Sequence, residues 1–152
     1  MKTIKMINIS RRNAIALMLG TAGYIMSSRI AFAGKEQVLK RIDEITKGKG
    51  AKELDIFLDL PEIAENGNQV KVNFEIESEM TEENYVKNVY ILADGNPAPD
   101  VAKFSFTPEM GMCSATTRIR LSKTQNVVLV AENNKNEYFM TCLLYTSPSP
   151  RD

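Results

Sequence analysis

The sequence predicts an all-β fold, an immunoglobulin-like β-sandwich of about seven strands. Three observations carry this. Strand-like runs recur at spacings of roughly 8–12 residues, separated by Gly/Pro/Asn turns. Within most runs apolar and polar residues alternate with period two, as in strands with one wet and one buried face. After the first strand no helical pattern follows a strand, so a βαβ architecture has nothing to build on.

The elements follow in order. Gly34–Lys47 reads as a short amphipathic helix: Val38, Leu39, Ile42 and Ile45 recur at three and four residues, and Lys40, Arg41, Asp43 and Glu44 fill the other face. Lys47-Gly48-Lys49-Gly50 ends it and links to the first strand. Leu54, Ile56, Leu58 and Leu60 then share one side of a run, as do Val70, Val72, Phe74 and Ile76 of the next. Asn66-Gly67 between them is a hairpin signal, because both residue types tolerate positive φ. The connection is long for a tight hairpin, which leaves room for the two runs to lie in different sheets.

Thr81-Glu82-Glu83 offers a cap for one helical turn. Tyr85–Ala93 reads as a strand with Val89 and Ile91 on one face and Tyr90 and Leu92 on the other. Asp94–Asp100 is a loop by its two prolines, glycine, asparagine and aspartates. Val101–Thr107 places Ala102, Phe104 and Phe106 on one face, and Cys113–Ser122 does the same for Ala115, Thr117, Ile119 and Leu121. Val127–Ala131 is apolar on both faces, which suits a central strand or an interface. Glu132–Asn136 turns the chain and Glu137–Thr141 begins a last strand.

Ahead of the domain, residues 1–33 have the build of an export signal. Lys2, Lys5, Arg11 and Arg12 make a basic start, Ala14–Ser28 is moderately apolar, and Ala31-Phe32-Ala33 offers a cleavage site. Ser10-Arg11-Arg12-Asn13-Ala14-Ile15 resembles a twin-arginine signal, departing from it at Ala14. The expected destination is the periplasm, with no stable membrane insertion after cleavage. Residues 34–152 hold 14 bases against 19 acids, a formal charge of −5. A mildly acidic domain with scattered bases argues against nucleic acid as a partner. The sequence has no histidine, the commonest general base and metal ligand.

Several segments together resemble SoxY, the sulfur-carrier subunit of the SoxYZ thiosulfate-oxidation complex. They are Leu60–Asn68, Glu77–Thr81, Tyr85-Val86-Lys87, Ala93–Ala102, Phe104–Pro108, Thr117–Leu121 and Ala131-Glu132-Asn133. The order and spacing match; Glu79 stands where the family has proline. The resemblance implies an immunoglobulin-like domain over residues 51–141, preceded by the helix and linker of 34–50. It implies a heterodimer with a SoxZ-like sandwich, transient contact with other Sox enzymes, no cofactor, and a covalent carrier rather than an enzyme. In the family, sulfur rides on the cysteine of a terminal Gly-Gly-Cys-Gly-Gly arm. A thiolate makes and breaks sulfur–sulfur bonds repeatedly, and the glycines keep such an arm slender and flexible.

Neither Cys113 nor Cys142 has glycines on both sides, so the carrier role transfers to neither. Cys113 reads as a small, semi-buried side chain. Residues 142–152, Cys142–Asp152, resemble the in-frame translation of a sequencing-library adaptor, and Leu143–Thr146 has strand propensity enough to lie along a vacant sheet edge. The last native strand and the cysteine arm are therefore expected to be missing from this chain, and a chain without that strand is expected to be marginally stable.

Other chemistry finds little support. Glu62 and Glu65 form a conceivable acid/base pair but read as surface carboxylates. Asp94, Asp100 and Glu109 lack the spacing of a Ca²⁺ loop. Met110 and Met112 read as core or interface rather than as copper ligands. No catalytic, cofactor or metal residue is assigned. The rival readings are an exported immunoglobulin-like binding module without sulfur chemistry and, behind it, a secreted hydrolase.

Overall fold

The computed structural model describes residues 34–54, 56–61 and 66–147. The signal residues Arg11 and Arg12, the cleavage residues Ala31 and Ala33, and the pair Glu62 and Glu65 lie outside the described residues. Among the described residues no helix is long and apolar enough to cross a membrane.

Helix α1 (Lys35–Thr46) precedes eight strands: β1 (Lys52–Glu53), β2 (Phe57–Asp59), β3 (Val70–Ile76), β4 (Val86–Ala93), β5 (Asp100–Ser105), β6 (Cys113–Ile119), β7 (Gln125–Asn133) and β8 (Tyr138–Tyr145). They form a five-stranded sheet, β1-β8-β7-β4-β5, and a three-stranded sheet, β2-β3-β6. All pairings are antiparallel except the short parallel contact of β1 with β8.

The core lies between the sheets. Val70, Val72, Phe74 and Ile76 of β3 face Val89 and Ile91 of β4 and Val127, Leu129 and Ala131 of β7 across it. Phe74 meets Phe104 edge-on at 5.3 Å between ring centroids and Phe106 at 6.2 Å. Alternation along β3 is complete, with odd positions exposed or half-buried between buried even ones.

The apolar character of β7 on both faces has a simple cause. Leu92, Val128, Val130 and Tyr138 point away from the second sheet and are covered by Val38 and Ile45 of α1. The strand is central, between β8 and β4, and its apolar second face is used inside the domain. The helix is therefore docked, with Arg41 reaching Asp100 at 2.9 Å. Its stop is as expected: Lys47, Gly48 and Gly50 all take positive φ.

Several expectations are corrected. The runs around Leu58 and Phe74 pair antiparallel in one sheet, Leu58 opposite Phe74. The first run is broken: Leu54 is 41% exposed, while Ile56 and Leu60 are buried. Leu39 is also exposed, since the helix presents only a narrow stripe to the sheet. Neither Asn66 nor Gly67 has positive φ. Asn66 Oδ1 instead accepts the Asn68 N–H at 2.9 Å, and Gly67 is needed for close approach, because a Cβ there would lie 2.7 Å from the Leu121 carbonyl oxygen. Thr81 accepts the Asn84 N–H but starts no helix. Met110 and Met112 are 57% and 58% exposed and take no part in the core. β8 runs without a break through Thr141 to Tyr145, paired with β7 along its length.

Candidate functional site

Hydrogen-bonded polar side chains gather at two ends of the five-stranded sheet. At one end the loop after β4 is fastened to the start of β7. Asp94 accepts the Asn126 backbone N–H at 2.8 Å and its Nδ2 at 2.7 Å. Gly95 N–H donates to Gln125 Oε1 at 2.8 Å. A Cβ on Gly95 would fall 2.7 Å from Gln125 Cβ, so the contact requires glycine. Asn96 accepts the Ser122 N–H at 3.0 Å and donates to the Arg120 carbonyl at 2.9 Å. The Leu121 N–H then donates to the Gly67 carbonyl at 2.8 Å, tying in the second sheet.

This is the end at which β8 finishes: Leu144 lies opposite Asn126 and Tyr145 opposite Gln125. The Asp94-Gly95-Asn96 signature is thus a buttress for the start of β7. Asp94 is spent on Asn126 and Asp100 on Arg41, and among the described residues no three carboxylate or cysteine groups converge on a metal position.

At the other end a polar row crosses β5, β4, β7 and β8. Ser105 Oγ donates to Asn88 Oδ1 at 2.9 Å, Asn88 Nδ2 donates to Glu132 Oε2 at 2.8 Å, and the Tyr138 hydroxyl lies 3.5 Å from Glu132 Oε1. Burial and the nearby Glu132 carboxylate hold the Tyr138 and Tyr90 phenols above their ordinary range. Sequence patterning missed Asn88 and Gln125, since a polar residue within an apolar run signals only that a partner must exist.

The two thiols are placed apart. Cys113 begins β6, is 2% exposed, and burial pushes its thiol up to about 12. Such a group is neither nucleophilic nor reachable at neutral pH. Cys142 is exposed on the α1 side of β8, beside a small apolar cavity of about 210 Å³ lined by Val38, Ile42, Val128 and Met140. Its thiol too lies above the ordinary value, through burial first and then the charge of Asp94, partly offset by Lys35. The two are not bonded to each other.

A sandwich whose loop after β4 is fastened to β7, and whose two described thiols both lie above their ordinary values, has the form of a scaffold. The sequence model of a family described as "Sulfur oxidation protein SoxY" matches residues 42–142. The chain belongs to the SoxY family. A solved SoxY agrees: the sulfur carrier protein SoxY from Chlorobium limicola f thiosulfatophilum superposes with a TM-score of 0.59 at 26% identity, over 70% of this chain and 88% of that one. Superoxide reductase (neelaredoxin) from Ignicoccus hospitalis superposes with a TM-score of 0.55 at 10% identity, over 80% of this chain and 98% of that one, a likeness of fold alone. No curated protein matches the chain. The SoxY match spans both polar ends of the sheet, the buttress and the Asn88–Glu132 row.

Proposed function

We propose that this chain is the sulfur-carrier subunit of a thiosulfate-oxidising system. It is exported to the periplasm by the twin-arginine route and paired with a SoxZ-like sandwich. Sulfur is carried on the thiol of a glycine-flanked cysteine in an arm that follows the last strand. The protein presents this thiol to successive enzymes and is itself no catalyst. The observation that carries the reading is the family match across residues 42–142, joined to the solved sulfur carrier protein SoxY of the same fold. The geometry supports it. The Asp94–Asn126 and Gly95–Gln125 contacts fasten the loop after β4 to the start of β7, which suits a fixed scaffold for a mobile arm. Cys113, held protonated inside the domain, stays out of sulfur exchange.

The test is intact-mass analysis of the full-length protein from cells grown on thiosulfate. Sulfur or thiosulfonate adducts that a reductant removes are expected on one cysteine beyond β8. A full-length gene without a glycine-flanked cysteine, or adducts confined to Cys113, would overturn the reading.

A further inference from the structure

Asn66-Gly67 is the one Asn-Gly step in the sequence. It lies just ahead of β3, whose first residue, Val70, stands opposite Ile119 of β6. Asn66 is exposed and Gly67 half-buried. Both carbonyls of Asn66 are hydrogen-bonded. Asn66 Oδ1 accepts the Asn68 N–H at 2.9 Å, which folds the side-chain amide over the following residues and draws electrons from Cγ. The Asn66 backbone carbonyl accepts the Gln69 N–H at 3.1 Å, which draws electrons from the 66–67 peptide and makes the Gly67 N–H a better acid. The first contact readies an electrophile and the second a nucleophile, a few atoms apart on the same stretch of chain. A donor fixed on an oxygen that gains negative charge lowers the barrier to attack on its carbon. Glycine brings no side chain to shield that attack.

Asp94-Gly95 offers the same pairing of residue types and the opposite geometry. There the Gly95 N–H is donated to Gln125 Oε1 at 2.8 Å, and the Asp94 carboxylate accepts the Asn126 N–H at 2.8 Å and its Nδ2 at 2.7 Å. Nucleophile and electrophile are both engaged elsewhere. Other asparagines are hindered in different ways. Asn96 precedes Pro97, which has no N–H. Asn88 and Asn133 are buried. Asn126 precedes Val127, whose branched side chain crowds the amide.

We propose that Asn66 is a modification site, converted in the folded protein to aspartate and isoaspartate through a succinimide. The Gly67 nitrogen gives its proton to solvent and bonds to Asn66 Cγ. The Cγ–Nδ2 bond breaks and the amide leaves as ammonia. Water then opens the ring. Breaking the bond from nitrogen to Cγ gives aspartate; breaking the bond from nitrogen to the backbone carbonyl carbon gives isoaspartate, whose main chain is one methylene longer. Nothing is oxidised or reduced: an amide and water become a carboxylate and ammonium. The products bear on a tight junction. The Gly67 carbonyl accepts the Leu121 N–H at 2.8 Å, and a Cβ on Gly67 would lie 2.7 Å from the Leu121 carbonyl oxygen. An isoaspartate lengthens the chain directly before this contact and before the Val70–Ile119 pair. The converted fraction grows with the age of the molecule and loosens the entry to β3.

The experiment incubates the full chain, folded, at neutral and at mildly alkaline pH, beside a sample unfolded in urea. Peptide mapping by mass spectrometry reads amide loss at each asparagine, and labelling by an isoaspartyl O-methyltransferase reads isoaspartate. In the folded protein Asn66 is expected to convert at least about tenfold faster than any other described asparagine, since only there are both reacting groups prepared. Conversion is expected to be faster at the higher pH, because the nitrogen attacks after losing its proton. Asn66→Gln, which would have to close a larger ring, is expected to lose the methyl label while melting as the parent does. Asp94-Gly95 is expected to yield isoaspartate in urea alone. Asn66 that keeps its amide in the folded sample while converting in urea overturns the proposal. So does aspartate formed at position 66 without isoaspartate, which is direct hydrolysis, or a methyl label that persists in Asn66→Gln.

Discussion

Replacing Asn88 by leucine tests whether the row from Ser105 to Tyr138 is held by polar satisfaction or by shape. Asn88 and Glu132 are 8% and 7% exposed, so neither can turn to water. Losing the Asn88 amide strips Glu132 Oε2 of its 2.8 Å hydrogen bond. The Tyr138 hydroxyl, 3.5 Å from the other oxygen, is too far to replace it. A hydrogen bond to a charged group contributes roughly 1.5–3 kcal/mol, and a buried acceptor left without it costs that much or more. At roughly 4 °C per kcal/mol for a domain of this size, the midpoint of thermal unfolding should fall by about 6–12 °C. The double variant Asn88→Leu/Glu132→Leu removes the carboxylate along with its donor. It should recover most of the loss and unfold within about 1 kcal/mol of the parent, since apolar replacement of both partners is close to neutral. Urea unfolding followed by circular dichroism measures all three proteins. If the double variant is less stable than the single one, the reasoning fails and the row owes its place to shape.

Two further outcomes follow from the packing and the buried thiol. Gly67→Ala should cost about 1–3 kcal/mol in a urea melt, because its Cβ would meet the Leu121 carbonyl oxygen at 2.7 Å and loosen the junction between the start of β3 and the end of β6; a change below about 0.5 kcal/mol would contradict that contact. Cys113 gives stability an alkaline limit. Its folded value of about 12 lies above the ordinary 9.0, so above pH 9 the unfolded chain releases a proton that the folded domain keeps. Stability should be intact below about pH 9 and then fall by up to ~1.4 kcal/mol per pH unit toward 12. In Cys113→Ala that part of the slope should vanish, and equal slopes for the two proteins would show that another group sets it.

Much of the architecture is written in local pattern. Val70, Val72, Phe74 and Ile76 can bury one face only as a strand, and Val89–Ile91 against Tyr90–Leu92 names a strand covered on both sides. Repeated signatures such as Asp94-Gly95-Asn96 identify the family from sequence alone, and with it the expectation of a sulfur carrier. Sequence could not say what those residues do. Asp94 reads equally as a metal ligand or a loop residue until Asn126, thirty-two positions away, is seen to take both its oxygens. Sheet membership was likewise hidden, because alternation specifies which side chains turn inward and not which strand lies alongside. The Leu58–Phe74 pairing and the depth of Cys113 each depend on where distant segments meet. Local periodicity sets the faces of a strand; only long-range packing chooses its neighbours, and here those neighbours decide what is buttress, what is core and what is left bare.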